Sequence, residues 1–385
     1  MGFESRLALF FAGVFAAAGI QLPFLPVWFA ARGLDERTIG LLLALSAVGR
    51  VLAVPLAAAA TDRRGALKGS LVLASCVAAA ATIALGVSPH VAAMFLSFAV
   101  ASAALGIMIP LADAYALQGL SARGRSYGPV RLWGSVAFIA GNLAAGMLAA
   151  IMAPGELIWP IAAAFSATAA AALALQPITQ AVRAPGERPQ SAATLLRAPA
   201  LVVVAIASSL IQGSHAVYYG FSSLDWMAAG LGGVTIGALW SVGVAAEIAL
   251  FAASGRLPAA VGPTMLLLIG AVGGVLRWSV MALDPPAALL PILQCLHALS
   301  FGATHLGAVQ YLARAAPPGL AATAQGLLAV AGGIAMTVAM ALSGVLHARF
   351  GSGAYALMAA MTAAGGAAAL IAHWFWREPQ RALTP

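Results

Sequence analysis

The sequence predicts an all-α membrane protein with twelve transmembrane helices in two pseudo-symmetric six-helix bundles. Three observations predict this fold: the composition, a succession of long apolar segments and an internal repeat. Of the 385 residues, 62% are hydrophobic and 8% are charged, and the mean hydropathy is strongly positive. Charged residues are too few to solvate the surface of a soluble protein. We therefore expect lipid to cover most of the surface of this protein.

Twelve apolar segments are long enough to cross a bilayer. A helix needs about 20 apolar residues to span roughly 30 Å of hydrocarbon, and short polar turns separate the segments here. The first segment, Leu7 to Phe29, exceeds a signal-peptide core and lacks a cleavage site, so we expect it to be retained. The predicted spans begin near Leu7, Ile39, Leu67, Val91, Val130, Leu157, Leu201, Ile236, Met265, Leu289, Ala321 and Gly353.

The positions of the basic residues predict the orientation. Lys and Arg are retained on the cytoplasmic side of short loops, whereas Asp and Glu count for little. With the N-terminus inside, the cytoplasmic side holds 13 of the 19 basic residues, and the outer side holds only Arg32, Arg37 and Arg349. We therefore expect both termini to be cytoplasmic.

An internal repeat and a polar linker divide the spans six and six. The run Gly33 to Gly40 recurs as Gly230 to Gly237, at an offset of 197, and five of the eight positions are identical. The longest polar connection separates the two copies and is rich in Pro, Gln and Arg. We predict an N-terminal bundle over 1–176, a cytoplasmic linker over 177–199 and a C-terminal bundle over 200–385.

Five charged residues lie within or at the ends of spans: Arg50, Asp113, Arg131, Glu247 and Arg277. A charge at the bilayer centre costs at least about 2.5 kcal/mol, so each one needs a reason. Glu247 lies in the middle of span eight, where a carboxylic acid can take up and release a proton; a structural ion pair or hydrogen bond is the alternative. Its repeat counterpart is Arg50, so the two halves differ in charge at this symmetric position.

Span five presents Arg131, Ser135, Phe138 and Asn142 on one helical face. A fixed cation, an aromatic ring and two polar groups suit an aromatic or hydroxylated anion. The alternative is that Arg131 anchors the cytoplasmic end of its span by pairing with Asp113.

Arg277 in span nine cannot lose its charge and so needs an anion, for which Glu247 is a plausible partner.

Two polar faces lie in spans seven and ten. Lone histidines are usually hydrogen-bonded fillers, but three imidazoles on two such faces favour a proton or substrate role. The faces consist of Gln212, His215, Tyr219 and Ser222, and of His297, Ser300, Thr304 and His305.

Several function classes are excluded by what the sequence lacks. It contains no GxxxxGK[ST], HExxH, GxSxG or paired-cysteine motif, which argues against an ATP-driven pump and a membrane hydrolase. The basic residues form short clusters without a basic face, which argues against nucleic-acid binding. We predict no enzyme activity, no cofactor and no metal; energy must come from an ion gradient or from the solute itself.

The loop after span two contains Ala58-x-x-x-Asp62-Arg63-Arg64-Gly65, which resembles the loop motif of the major facilitator superfamily. The superfamily usually has Gly where Ala58 stands. The resemblance implies a gating or structural role for Asp62, Arg63 and Gly65, and we assign the same role to Arg50.

Four further motifs resemble the phenylpropionate permease branch of that superfamily, over nearly the whole chain. They are Tyr127-Gly-Pro-Val-Arg131-Leu-Trp-Gly-Ser135, Gln212-Gly-Ser-His215-Ala-Val-Tyr-Tyr219-Gly-Phe221, Leu276-Arg277-Trp278 and Leu296-His297-Ala-Leu-Ser300-Phe-Gly-Ala-Thr-His305. Through this branch the charged positions resemble those of the lactose permease. Asp113 and Arg131 match its sugar-binding acid and arginine, and Arg277 and His297 match its span-nine arginine and span-ten histidine.

The departures from that permease alter the predicted proton path. Ser300 stands where the permease has its proton-carrying glutamate, and Gln294 stands where it has a lysine. Glu247 matches its span-eight acid only to within about a turn, and Asp225 stands where this branch is expected to have an aromatic residue. We therefore assign proton coupling to Glu247, modulated by Arg277, and assign Asp225 no role.

Taken with the resemblance, the residues predict proton-coupled uptake of a small aromatic carboxylate, such as a phenylpropionate, by a monomer in the bacterial inner membrane. Protons, the solute and the lipid bilayer are the expected partners. A sugar or nucleoside symporter, a proton-driven exporter and a non-transporting membrane receptor are the alternatives. The predicted substrate-binding residues are Asp113, Arg131, Ser135, Phe138, His215, Tyr219, His297 and His305.

Overall fold

A computed structural model describes residues 1–64, 66–178, 193–258, 260–317 and 320–375, and within these ranges the regular structure is entirely helical. The predicted linker therefore lies mostly outside the described residues. The α-helices are α1 (Phe3–Ala31), α2 (Glu36–Arg64), α3 (Leu67–Val87), α4 (Val91–Ser121), α5 (Tyr127–Ile151), α6 (Ile158–Leu173), α7 (Ala193–Leu196), α8 (Pro199–Gly213), α9 (Ala216–Ala228), α10 (Gly233–Ala253), α11 (Pro263–Met281), α12 (Leu290–Cys295), α13 (Thr304–Ala315), α14 (Ala321–Phe350) and α15 (Tyr355–Phe375).

Eleven helical ranges in the described part of the chain are long and apolar enough to cross a membrane. The last of them, Thr323–Phe375, has 53 residues and contains most of α14 and all of α15. A short 3-10 turn begins at Gly351, whose φ of 53° is a conformation that glycine adopts at little cost, and separates these two helices. The structure is thus that of a multi-pass α-helical membrane protein, and the count of twelve spans stays a prediction.

The helices form two compact units. The first comprises Met1–Pro185 with Phe221–Ser241, and the second comprises Gly186–Gly220 with Val242–Pro385. In the first unit α1 packs against α5 and α6, and α3 packs against α4 and α6. In the second unit α8 packs against α14 and α15, and α11 packs against α13 and α15. The predicted division into 1–176 and 200–385 stays a prediction.

The repeated motif has the same backbone structure in both copies. Gly33 and Gly230 have φ values of 81° and 85°, and each follows the last turn of a helix. Leu34 N donates to Phe29 O at 3.2 Å, and Leu231 N donates to Trp226 O at 2.9 Å. A backbone hydrogen bond that closes a six-residue loop and contains a glycine in the left-handed conformation is the Schellman motif, which ends many helices. The sequence repeat therefore encodes two equivalent corners.

The first corner also caps the helix that follows it. The Thr38 backbone N–H donates to Asp35 Oδ1 at 2.9 Å, at the start of α2. Hydrogen bonds from the Thr38 side chain and backbone lower the pKa of the Asp35 carboxyl. The second copy has Gly232 at the equivalent position, so its helix starts without a side-chain carboxylate.

The positive φ of Gly230 predicts how a substitution at this position changes stability. Gly230→Ala is expected to lower the free energy of unfolding by about 1 kcal/mol, because a Cβ is disfavoured at positive φ. Thermal unfolding of the purified protein in detergent measures the change. Gly326→Ala on α14 is the matched control, because no atom lies within 4 Å of its added Cβ. Equal melting temperatures for both variants would contradict the prediction.

Two predicted spans are interrupted in their interior. Span seven breaks between α8 and α9 at Ser214 and His215, and span ten contains a π-helical segment, Ala298–Ala303, between α12 and α13. Gln212 Nε2 donates to the backbone oxygen of Phe301 at 3.2 Å, and Ser300 Oγ donates to Leu296 O at 3.1 Å. Irregular backbone inside a bilayer requires such partners, and π-helical turns often occur at functional sites.

Candidate functional site

Arg277 is fully buried on α11 in the second unit, at the centre of a polar cluster. Its Nη2 donates to Gln294 Oε1 at 2.6 Å, and its Nη1 lies 3.2 Å from His297 Nδ1 and 3.4 Å from Ser300 Oγ. The guanidinium also lies 4.4 Å from the ring centre of Trp278. A buried cation is tolerated only with such hydrogen-bond partners, so these contacts hold Arg277 in one position.

The contact with Arg277 fixes the tautomer of His297. Arginine can only donate, so His297 Nδ1 accepts, and the neutral ring carries its proton on Nε2. That nitrogen lies 3.5 Å from Glu247 Oε2. The predicted pair of Glu247 and Arg277 is therefore bridged by an imidazole. We name Glu247, Arg277, Gln294, His297 and Ser300 the Arg277 cluster.

Two glycines let α10 lie close to span ten. An added Cβ at Gly243 would lie 3.3 Å from His297 Cβ, and one at Gly302 would lie 3.3 Å from Glu247 Cγ. Small residues allow helix backbones to approach closely in lipid. This packing holds the mostly buried carboxyl of Glu247, whose side chain is 17% exposed, against the ring of His297.

His215, in the break of span seven, is fully buried beside the Arg277 cluster. Its Nδ1 lies 3.1 Å from Gln212 O and its Nε2 lies 3.2 Å from Ser300 Oγ. A carbonyl only accepts, so the neutral ring carries its proton on Nδ1, and its Nε2 competes with Leu296 O for the single proton of the Ser300 hydroxyl. The ring stacks on Tyr219 with centroids 5.6 Å apart. Both predicted residues of this face thus reach the same region as His297.

The rings of His297, Phe301 and His305 form a stack along span ten. The centroids are 5.0 Å and 6.2 Å apart, with interplanar angles of 15° and 14°. The prediction that the two histidines share a helical face is thus matched by the structure. The stack leads from buried His297 to exposed His305.

A second cluster lies in the first unit, around Arg131 near the start of α5. Tyr127 Oη donates to Asp113 Oδ1 at 2.6 Å, and Arg131 Nε lies 3.9 Å from the same oxygen. The guanidinium lies 4.0 Å from the ring centre of Phe15 and 5.6 Å from that of Phe11. We name these five residues the Arg131 cluster. It places a partly exposed cation against two aromatic rings, an arrangement that stabilises the cation.

The remaining residues of the predicted stripe on α5 lie beyond the Arg131 cluster. Ser135 and Phe138 are partly buried. Asn142 is fully buried, and neither Oδ1 nor Nδ2 of its amide has a hydrogen-bond partner among the described residues. The stripe therefore runs from a partly exposed cation to a buried amide.

Several predicted residues cannot be placed in either cluster. Arg50, Asp62 and Arg63 belong to α2, but their side chains lie outside what the structure describes, as does Gly65 altogether. Asp225 lies on α9 in the first unit. Tyr127, Phe11, Phe15 and Gln294 were not predicted as site residues. Tyr127 could have been, since it lies four residues before Arg131 on the same helical face, and Gln294 was noted only as a departure from the lactose permease.

Comparison with known proteins identifies the family. The family model described as the MFS_1 like family matches residues 5–356, most of the chain. The chain belongs to this family. It is therefore a membrane transporter of the major facilitator type and not an enzyme, as the motifs predicted.

Two relatives match the chain over most of its length. A probable 3-phenylpropionic acid transporter of Escherichia coli (strain K12) is 32% identical over 357 residues, which are 92% of this chain and 93% of the relative. A maltose permease of Geobacillus stearothermophilus is 30% identical over 356 residues, 90% of this chain and 88% of the relative. The predicted resemblance to the phenylpropionate permease branch is confirmed.

Solved structures share the fold. A nucleoside transporter covers 98% of this chain and 100% of its own, with a TM-score of 0.83 and 18% identity. A D-xylose-proton symporter covers 98% of both chains, with a TM-score of 0.71 and 15% identity. At such low identity these similarities establish the architecture alone.

Proposed function

We propose that the protein couples proton entry to uptake of a small aromatic carboxylate, such as a phenylpropionate, across the bacterial inner membrane. The proposed unit is a monomer with twelve spans in two six-helix halves and with both termini in the cytoplasm. Alternating access driven by the proton gradient would move the solute. The observation that supports the proposal is the placement of His297 between Glu247 and Arg277: its Nε2 lies 3.5 Å from Glu247 Oε2, and its Nδ1 lies 3.2 Å from Arg277 Nη1.

Charge balance in the Arg277 cluster explains how proton and solute could be coupled. With Glu247 ionised, the fixed charge of Arg277 is balanced through the neutral imidazole of His297. A proton on Glu247 leaves the cluster with one uncompensated positive charge. An incoming carboxylate restores neutrality, so proton and anion favour each other's binding, and the coupling is reciprocal.

The Arg131 cluster supports an aromatic carboxylate as the solute. A guanidinium presents a planar fork that matches a carboxylate, and Phe11 and Phe15 supply aromatic surface near it. The relative named as a probable 3-phenylpropionic acid transporter agrees with this choice. We assign substrate contact to Asp113, Arg131, Ser135, Phe138, His215, Tyr219, His297 and His305.

A sugar or nucleoside symporter is the second candidate. Asp113 lies near Arg131, and an acid with an arginine can hydrogen-bond the hydroxyls of a neutral solute. A maltose permease is among the relatives. Competition by neutral sugars against radiolabelled 3-phenylpropionate uptake separates the two candidates.

Replacing the proposed proton carrier tests the coupling. Glu247→Gln is expected to abolish accumulation of 3-phenylpropionate above equilibrium in proteoliposomes under an imposed pH gradient, because an amide cannot carry the proton. Exchange of internal for external solute is expected to persist, since it requires no net proton movement. Glu156→Gln, in an exposed turn, is the control. Full gradient-driven accumulation by Glu247→Gln would exclude Glu247 as the coupling site.

A further inference from the structure

Tyr127 and Arg131 approach the same oxygen of Asp113, but only Tyr127 forms a hydrogen bond with it. The Tyr127 hydroxyl lies 2.6 Å from Oδ1, a short bond of the kind that charged acceptors form. Arg131 Nε lies 3.9 Å away, beyond hydrogen-bond range. The oxygen of Asp113 that faces the arginine is thus already occupied by a hydroxyl.

Two aromatic rings pack near the guanidinium group of Arg131. Its guanidinium carbon lies 4.0 Å from the centre of Phe15, and Phe11 contacts Tyr127 edge-on at 6.3 Å. A cation over a ring is attracted without consuming its N–H groups. Both rings therefore pack against Arg131, and Phe11 also packs against Tyr127, so the aromatic residues of α1 support both side chains that approach Asp113.

This occupancy has opposite consequences for two kinds of solute. At Oδ1 of Asp113, a neutral hydroxylated solute must displace the Tyr127 hydroxyl, exchanging one hydroxyl bond for another with little net gain. A carboxylate gains charge-assisted hydrogen bonds from Arg131, whose Nε lies 3.9 Å from Asp113 Oδ1, an ion-pair distance but not a hydrogen bond. Specificity is the difference between the affinities for two solutes. A contact that lowers the affinity for the neutral solute is therefore enough to make the site prefer the carboxylate.

We propose that Tyr127 is a specificity-determining residue, whose hydroxyl occupies Oδ1 of Asp113, the oxygen nearest Arg131, and so makes the Arg131 cluster select carboxylates over neutral hydroxylated solutes. The inference rests on the proposed function, since it assumes that the solute reaches Arg131. Without the hydroxyl, Asp113 accepts from a neutral solute and also competes for Arg131.

Isothermal titration of the purified, full-length protein tests the inference with a matched pair of probes. These are 3-phenylpropionate and 3-phenylpropan-1-ol, which differ only in that a hydroxymethyl group replaces the carboxylate. The wild type is expected to prefer the acid. Tyr127→Phe is expected to bind the acid roughly tenfold more weakly and the alcohol roughly tenfold more tightly. Each change corresponds to about the net free energy of one hydrogen bond. Unchanged affinities would overturn the inference.

Two further variants separate specificity from loss of structure. Tyr115→Phe removes the hydroxyl that bonds Gln176 O, on the same end of α4, and is expected to leave the acid-to-alcohol ratio unchanged. In an Asp113→Asn background, Tyr127→Phe is expected to change that ratio less than twofold, because the charged acceptor is gone. A full effect in that background would show that Tyr127 acts otherwise and would overturn the inference.

The wild-type measurement tests the proposed function separately. If the wild type binds neither phenyl probe, phenylpropionate is excluded as the solute, and maltose becomes the neutral probe. Maltose affinity that rises about tenfold in Tyr127→Phe then supports the inference, and unchanged affinity overturns it. A wild type that binds acid and alcohol equally well also overturns it.

Discussion

Arg277→Lys is expected to lower gradient-driven uptake at least about a hundredfold and to destabilise the protein by about 3 kcal/mol or more. The charge is retained, but the planar fork is lost. Arg277 reaches Gln294 with one terminal nitrogen and His297 with the other, and a single ammonium group cannot reproduce this geometry. The buried amide and imidazole would each lose a partner that water cannot replace.

Uptake into proteoliposomes and thermal unfolding in detergent measure the two effects. Arg256→Lys, at an exposed position after α10, is the matched control and is expected to behave as the wild type. If Arg277→Lys keeps more than half of the wild-type rate, the fork geometry is not required. The Arg277 cluster would then not carry the proposed coupling.

The same cluster shows how far the sequence predicts the site. The cost of a buried charge singled out Glu247 and Arg277, and helical spacing placed His297 and His305 on one face, as observed. The sequence did not predict that His297 lies between the acid and the arginine. That placement depends on the close packing of α10 at Gly243 and Gly302, which only the three-dimensional contacts reveal.

The fold was more predictable than its interruptions. Bilayer thickness requires about 20 apolar residues per helix, so α3 (Leu67–Val87) and α4 (Val91–Ser121) begin at their predicted positions. The breaks at His215 and at Ala298–Ala303 do not show in the hydropathy, because each span as a whole stays apolar enough to cross a membrane despite its polar face. Contacts such as that of Gln212 with Phe301 O stabilise the irregular backbone from another helix.

In the Arg131 cluster, too, only some of the contacts could be predicted from the sequence. Pairing of Asp113 with Arg131, at the predicted cytoplasmic ends of their spans, was one of two alternatives for Arg131, and the structure brings the two side chains to 3.9 Å. Phe11 and Phe15 could not be singled out, since an aromatic residue in an apolar span looks like any lipid-facing or core residue. Their contact with the guanidinium depends on the packing of α1 against α5.

Gly146→Leu is expected to lower uptake at least about tenfold and to destabilise the first unit by about 1–3 kcal/mol. Gly146 on α5 meets Gly233 at the start of α10, and a Cβ added to either residue would lie 2.5 Å from the backbone oxygen of the other. Backbone atoms cannot move aside as a flexible side chain can. A leucine at this position therefore forces α5 and α10 apart.

A graded series distinguishes this steric effect from a general effect of apolar substitution. Gly146→Ala already adds the clashing Cβ, so its melting temperature should fall below that of the wild type, and leucine should lower it further. The same two substitutions at Gly326 on α14, where an added Cβ meets nothing within 4 Å, should not lower melting or uptake, because a helical glycine is replaced by better helix formers. Equal responses at both positions would show that close approach of α5 and α10 is not needed. A fall confined to Gly146 would show that transport depends on backbone contact between these helices, because small residues are what let helices approach closely in lipid.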